Sequence, residues 1–149
     1  MRLYVLVGLP GSGKTTWLRQ QGKPSLSSDA IRETVTGDEA NQDQNRLVFS
    51  VLRSLARVRL AAGCAETWID STALTRRERR SWIRLAEMHG CAVEAVFFDT
   101  PLEVCRSRNA ARERKVPGEV MERMAARLTP PALEEGFDRI TVVHPSAVP

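Results

Sequence analysis

The chain opens on an apolar run, Leu3 to Val7, that shows no alternation with polar residues. An unbroken β-branched and aliphatic run of this length predicts a strand buried on both faces of a parallel sheet. Three further runs carry a strand signature: "TWID" at 67–70, "AVEAVFFD" at 92–99 and "RITVV" at 139–143, with Pro24 to Ser27 a weaker candidate. Between them the pattern switches to helical spacing. "KTTWLRQQ" predicts a helix ending near Gly22, and "DAIRETV" a short one closed by Gly37. "QDQNRLVFSVLRSLARVRLAAG" predicts a long helix with Leu47, Val48, Val51, Leu52, Leu55 and Val58 at helical spacing and Arg46, Arg53 and Arg57 on its outer face. Thr75 with Glu78 predicts a capping-box start for a helix running to Gly90. Thr100 as N-cap, Pro101 and Glu103 predict another over "PLEVCRSRNAAR", and Gly118 to Leu128 the last. This roughly fivefold alternation of strand and helix predicts an α/β fold: three layers around a mostly parallel, about five-stranded sheet with right-handed crossovers.

Composition narrows the class. With 149 residues the expectation is a single domain over 1–149, without repeat or linker. No stretch approaches a membrane span, and Gly8 and Pro10 cut the N-terminal apolar run too short for a secretory signal. Three scattered cysteines exclude a disulfide framework, and two histidines leave too few ligands for a zinc site, so a cytoplasmic location is expected. Oxygen-ligated magnesium stays open. Lysine occurs only at Lys14, Lys23 and Lys115, so the rest of the 22 basic residues are arginine. Arginine suits phosphate ligands, although most of these residues are expected simply to solvate helix faces.

The chemistry begins at "GLPGSGKTT", residues 8–16, which contains the full G-x-x-x-x-G-K-[ST] motif of a P-loop (Walker A) between a predicted strand and a predicted helix. Gly11, Ser12, Gly13, Lys14, Thr15 and Thr16 are therefore expected to hold the phosphates of ATP, with Lys14 on the β- and γ-phosphates and the Thr15 hydroxyl on Mg2+. No N-K-x-D motif reads a guanine base, and the chain is short for a motor ATPase, so a small phosphotransferase leads. Such an enzyme needs a base, a magnesium shell and cations for the transferred group. Asp29, just past the second strand, is a candidate base, with Arg32 one turn on; the alternative is a helix N-cap beside a surface arginine. Asp70, ending "TWID", is a candidate metal carboxylate, or else a simple strand cap. Arg108 and Arg112 share a helix face beside the polar loop "ERKVPG", which reads as a lid or as a solvated helix end. Arg76, Arg77, Arg79 and Arg80 read as a phosphate track or as residues facing water.

Along nearly all of its length the chain resembles the kinase domain of polynucleotide 5′-hydroxyl kinases, the bacteriophage enzyme and bacterial RNA-repair kinases among them. The likeness lies in "GLPGSGKTTW", Asp29-x-x-Arg32, "IDST", "ERR", "VFFDTP" and Arg108-Asn109-x-x-Arg112. It implies that Asp29 is the general base, that Arg32 grips the phosphate 3′ of the attacked nucleoside, that Thr72 lies at the acceptor, and that Arg112 clamps donor phosphates. A nucleoside triphosphate donor and a 5′-hydroxyl RNA or DNA end are the implied partners, with no membrane. The family often carries D-x-T-N, whereas here Thr72 is followed by Ala73, so one side-chain contact near the acceptor is missing. The chain has no room for a fused phosphatase or ligase, and is read as a stand-alone kinase or an excised domain. Two other functions stand beside this one: a kinase acting on a sugar, antibiotic or nucleoside, and an ATP-binding module that transfers nothing.

Overall fold

The computed structural model describes residues 1–112 and 116–144. Strand β1 (Arg2–Val7) leads through the glycine-rich loop into helix α1 (Lys14–Gln20). The two-residue strand β2 (Leu26–Ser27) runs straight into α2 (Ser28–Thr36), and α3 (Asn45–Ala61) returns to β3 (Glu66–Asp70). Then follow α4 (Arg76–Met88), β4 (Ala92–Phe98), α5 (Leu102–Ala110), α6 (Gly118–Arg127), a 3₁₀ turn at Leu133–Glu135 and β5 (Arg139–Val143). The strands form one sheet in the order β2-β3-β1-β4-β5, parallel throughout. This is the expected α/β fold, with all five strands where the apolar runs lie.

The sheet is covered on both sides, which explains why its central strands are not alternating. Leu3, Val5 and Val7 of β1 pack with Leu52, Ala56 and Leu60 of α3 and with Trp82, Ile83 and Ala86 of α4. On the opposite face Leu6, Val96 and Phe98 meet Leu18 of α1, while Trp17 approaches Phe98 edge-on at 5.7 Å and Tyr4 stacks on Trp68 at 3.8 Å. Aromatic pairs in these geometries add about 0.5–1.5 kcal/mol each beyond the apolar area they bury.

Three local expectations are corrected. Helix α3 buries Val48, Leu52, Ala56 and Leu60, and leaves Leu47, Val51, Leu55 and Val58 exposed. Its apolar arc is too wide for spacing alone to say which part meets the sheet. Thr100 does not cap α5: Pro101 occupies the cap position without a side-chain bond, and the Thr100 hydroxyl instead donates to the carbonyl of Ser12 at 3.0 Å. At the start of α4 the Thr75 hydroxyl does cap Glu78 N–H, but the Glu78 carboxylate accepts from Leu74 N–H rather than from the capping residue. Among the described residues no helix is long and apolar enough to cross a membrane, and the three cysteines are free thiols.

Candidate active site

The parallel sheet brings the ends of β1, β2, β3 and β4 to one edge, and every candidate residue is carried on the segments that leave this edge. The phosphate loop is built by glycine. Gly11 and Gly13 have φ of 81° and 100°, and a Cβ on Gly11 would stand 2.6 Å from the carbonyl oxygen of Cys105 in α5. Gly13 also occupies the N-cap of α1 with no side-chain cap, so the first N–H groups of that helix are left for an anion.

Lys14 is buried inside this loop. Its Nζ donates to the carbonyls of Gly8 (2.8 Å) and Leu9 (2.9 Å) and to the Ser12 hydroxyl (3.4 Å). Burial pulls its pKa below the ordinary lysine value, against the opposing pull of Asp70 and Asp29. Beside it, the Thr15 hydroxyl donates to Asp70 Oδ2 at 2.8 Å. Asp70 is itself buried, which pushes its carboxyl upward, offset in part by Lys14 and the Thr15 bond. A hydroxyl and a carboxylate side by side, both hard oxygen donors next to a phosphate cradle, fit a magnesium ion that completes its shell with water and phosphate. No group of three or more His, Cys, Asp or Glu that could hold a metal occurs among the described residues, so a site built wholly from protein side chains is not indicated there.

On α2 the N-cap is Ser27, whose hydroxyl accepts from Ala30 N–H at 3.2 Å, so Asp29 is not the capping residue. Asp29 lies in the first turn, with its side chain 59% exposed, and its Oδ1 accepts from Arg32 Nη1 at 2.7 Å. The Arg32 guanidinium is buried. Nε and Nη2 both donate to Asn45 Oδ1 (3.3 and 2.9 Å), and Nη1 also reaches the Glu39 carbonyl at 3.5 Å. Among the described residues these bonds engage four of the five N–H groups of the guanidinium, leaving one on Nη2 for an anion. Asn45 had no signal in the sequence, because it lies 13 residues from Arg32 on another helix.

The lid arginines take different places. Arg108 Nη1 donates to the carbonyl of Gly11 at 3.4 Å, directly over the phosphate loop. Arg112 is exposed, yet its charge acts on both Lys14 and Asp70, as does that of Asp29. Of the loop expected to form a lid, Glu113, Arg114 and Lys115 lie outside the described residues. Asn109 of α5 holds Val116 on the far side of them: its side chain donates to the Val116 carbonyl (2.6 Å) and accepts from the Val116 N–H (3.0 Å). Thr72, partly buried, follows the end of β3, and its carbonyl accepts from Gly8 N–H at 3.0 Å. Thr16 is exposed on α1. The arginine run of α4 divides: Arg76, Arg77 and Arg80 are exposed, whereas Arg79 is fully buried and belongs neither to a phosphate track nor to the solvated surface.

A parallel sheet ending in this glycine-rich loop, with a buried lysine and a Thr–Asp pair, is the α/β fold of P-loop kinases. The chain belongs to the family described as AAA domain, whose profile matches residues 3–131. It is similar to the bifunctional polynucleotide phosphatase/kinase of Schizosaccharomyces pombe, 22% identical over an alignment of 150 positions that covers 95% of this chain and 33% of that protein. It is also similar to the L-seryl-tRNA(Sec) kinase of Methanococcus maripaludis, 24% identical over an alignment of 151 positions that covers 91% of this chain and 56% of the relative. The chain therefore spans about a third and just over half of these two relatives' lengths. Among solved structures, a sugar kinase from a Janibacter species superimposes with a TM-score of 0.65 at 28% identity, covering 98% of this chain and 86% of the other.

Proposed function

We propose that the protein transfers the γ-phosphoryl group of ATP to the 5′-hydroxyl end of RNA or DNA. The observation that carries this reading is the Asp29–Arg32 pair: an exposed carboxylate whose field reaches Lys14 and Asp70, joined to a buried guanidinium that Asn45 holds in place. A base and an anion-binding group one helical turn apart match an acceptor that presents a hydroxyl and, one nucleotide unit away, a phosphate. The match to a polynucleotide phosphatase/kinase supports the same choice.

In this mechanism the acceptor oxygen bonds to the γ-phosphorus as the bond from that phosphorus to the β,γ-bridging oxygen breaks and ADP leaves. Asp29 takes the hydroxyl proton, and Arg32 holds the 3′-phosphate with its remaining N–H. Lys14 exchanges the carbonyls of Gly8 and Leu9 for phosphate oxygens, and Arg108 and Arg112 meet the donor phosphates from the opposite side. Thr15 and Asp70 would hold a magnesium ion, which would supply positive charge to the phosphate oxygens. Thr72 lies against the acceptor.

The test compares a nucleoside with its 3′-phosphate and with a 5′-hydroxyl oligonucleotide as acceptors. The phosphate-bearing acceptors are expected to show the higher kcat/KM, and Arg32→Ala to remove most of the difference. A charge-assisted contact of about 1.5–3 kcal/mol corresponds to roughly tenfold to a hundredfold. Equal use of nucleoside and nucleoside 3′-phosphate by the wild type rejects the polynucleotide acceptor. In that case a small-molecule hydroxyl is the acceptor, the reading favoured by the similarity to the sugar kinase along nearly all of both chains. Nucleotide binding with transfer to no acceptor would leave an ATP-binding module.

A further inference from the structure

Directly after Asp70, Ser71 and Thr72 the chain makes a bend held by four hydrogen bonds with three residues, Arg79, Glu78 and Thr129. Ala73 has φ of 45° and is the one non-glycine residue with positive φ among those described. L-residues with a Cβ resist this left-handed region, and alanine lacks the polar side chain that makes asparagine tolerable there. The bend is held by Arg79, whose Nη1 donates to the carbonyls of both Ala73 (2.9 Å) and Leu74 (3.1 Å). The other side of the same guanidinium chelates Glu135, Nε to Oε1 at 2.8 Å and Nη2 to Oε2 at 3.1 Å. Two further bonds fix Leu74: its N–H donates to Glu78 Oε2, and its carbonyl accepts from Thr129 N–H.

Arg79 and Glu135 have side chains 0% and 4% exposed, and Glu135 Oε2 also accepts from Ala132 N–H. A buried ion pair of this kind does not by itself stabilise a fold more than apolar residues of similar volume. An apolar replacement, however, offers no donors to two consecutive carbonyls in an unfavourable turn. The bend in turn leads to the phosphate loop, because Thr72 immediately before it accepts from Gly8 N–H.

We propose that Arg79, clamped by Glu135, is a positioning residue that holds the Ala73–Leu74 bend and through it fixes the end of β3 against the phosphate loop. It acts through the Thr72 carbonyl and Gly8 amide and touches no reactant. The proposal rests on the reading of Asp70 and Thr72 as site residues for its effect on catalysis, and on the geometry alone for its effect on the loop.

The experiment uses Arg79→Lys, which keeps a cation for Glu135 but cannot serve both carbonyls and both carboxylate oxygens together. It is measured alone and combined with Ala73→Gly, which removes the need to force the bend. Amide exchange at Gly8, followed by NMR, is expected to accelerate at least tenfold in Arg79→Lys while Leu3 to Val7 keep their protection, and to recover in the double variant. The kcat for 5′-hydroxyl oligonucleotide phosphorylation is expected to fall about 10–100-fold with ATP affinity changed less than about threefold, and to recover in parallel. Unchanged Gly8 exchange, loss of protection spread evenly over β1, or no recovery on adding Ala73→Gly overturns the proposal. Should Arg79→Lys not fold, Glu135→Gln, which releases the clamp without removing the guanidinium, takes the same measurements with the same expected signs. If the wild type phosphorylates no oligonucleotide, the functional reading fails and the Gly8 exchange result alone decides this proposal.

Discussion

The hydroxyl of Thr15 and the carboxylate of Asp70 stand 2.8 Å apart, joined by a hydrogen bond across 55 residues of sequence. One residue lies in the first turn of α1 and the other closes β3, so their contact records the docking of the phosphate loop onto its neighbouring strand. Burial at this junction raises the Asp70 carboxyl above the ordinary aspartate range.

The sign of that shift separates stability from activity. The folded protein holds the Asp70 proton to higher pH than the unfolded chain does, so ionising Asp70 costs stability as pH rises through its folded value. Asp70→Asn is therefore expected to raise the neutral-pH melting temperature. The same variant is expected to lose transfer about 10–100-fold and to need more magnesium for half-maximal rate. Thermal denaturation and a magnesium titration of the transfer rate check the two halves. A drop in melting temperature at neutral pH would overturn the first.

Lys14 has the opposite shift, with burial lowering its pKa. The folded protein gives up this proton at lower pH than the unfolded chain, and a bound triphosphate draws it back. ATP binding is thus expected to take up protons below the ordinary lysine value, over the pH range in which the buried amine is neutral before the nucleotide binds. Titration calorimetry in two buffers of different ionisation heat measures this directly. Lys14→Met is expected to abolish both the uptake and phosphoryl transfer.

Asp29→Asn keeps an oxygen to accept from Arg32 Nη1, and Asn45 and the Glu39 carbonyl still hold that buried guanidinium, so the loss of charge is expected to lower stability without unfolding the protein. The variant should retain ATP affinity and lose kcat by about 10²–10⁴-fold, the usual worth of a positioned general base. Parallel loss of ATP affinity and rate would move Asp29 into the magnesium shell.

Arg112 is exposed yet acts on Lys14 and Asp70. Arg112→Ala is expected to leave the urea midpoint unchanged and to lower kcat/KM for ATP about tenfold to a hundredfold. An Arg112→Ala enzyme of wild-type activity would remove this residue from the donor site.

The phosphate loop and the sheet could be read directly because their signals are local: consecutive glycines, an adjacent lysine and threonine, and unbroken apolar runs. What escaped reading joins residues far apart in sequence. Thr100 reaches Ser12 across 88 positions and Arg79 reaches Glu135 across 56, so a residue at a plausible cap or on a plausible basic face gives no sign of its buried partner. The sequence offers Asp29 as the cap of α2, and the cap lies two positions earlier at Ser27, a difference that only the backbone geometry decides. The face of α3 was ambiguous for the same physical reason: Leu47, Val51, Leu55 and Val58 repeat as regularly as the residues that meet the sheet.

The central place of β1 has a consequence for synthesis. Its two partners are residues 66–69 and 92–97, so β1 has no neighbour until residue 69 has been made and lacks its second until residue 97. A nascent fragment ending at residue 65 contains the whole glycine-rich motif and neither flanking strand. Strand pairings this distant close large loops before they return contacts, which makes folding slow compared with helical hairpins. The motif is therefore not a portable binding element: nucleotide affinity should emerge only once Thr100 has been made and can reach Ser12, and the ligand can guide only the last stages of assembly.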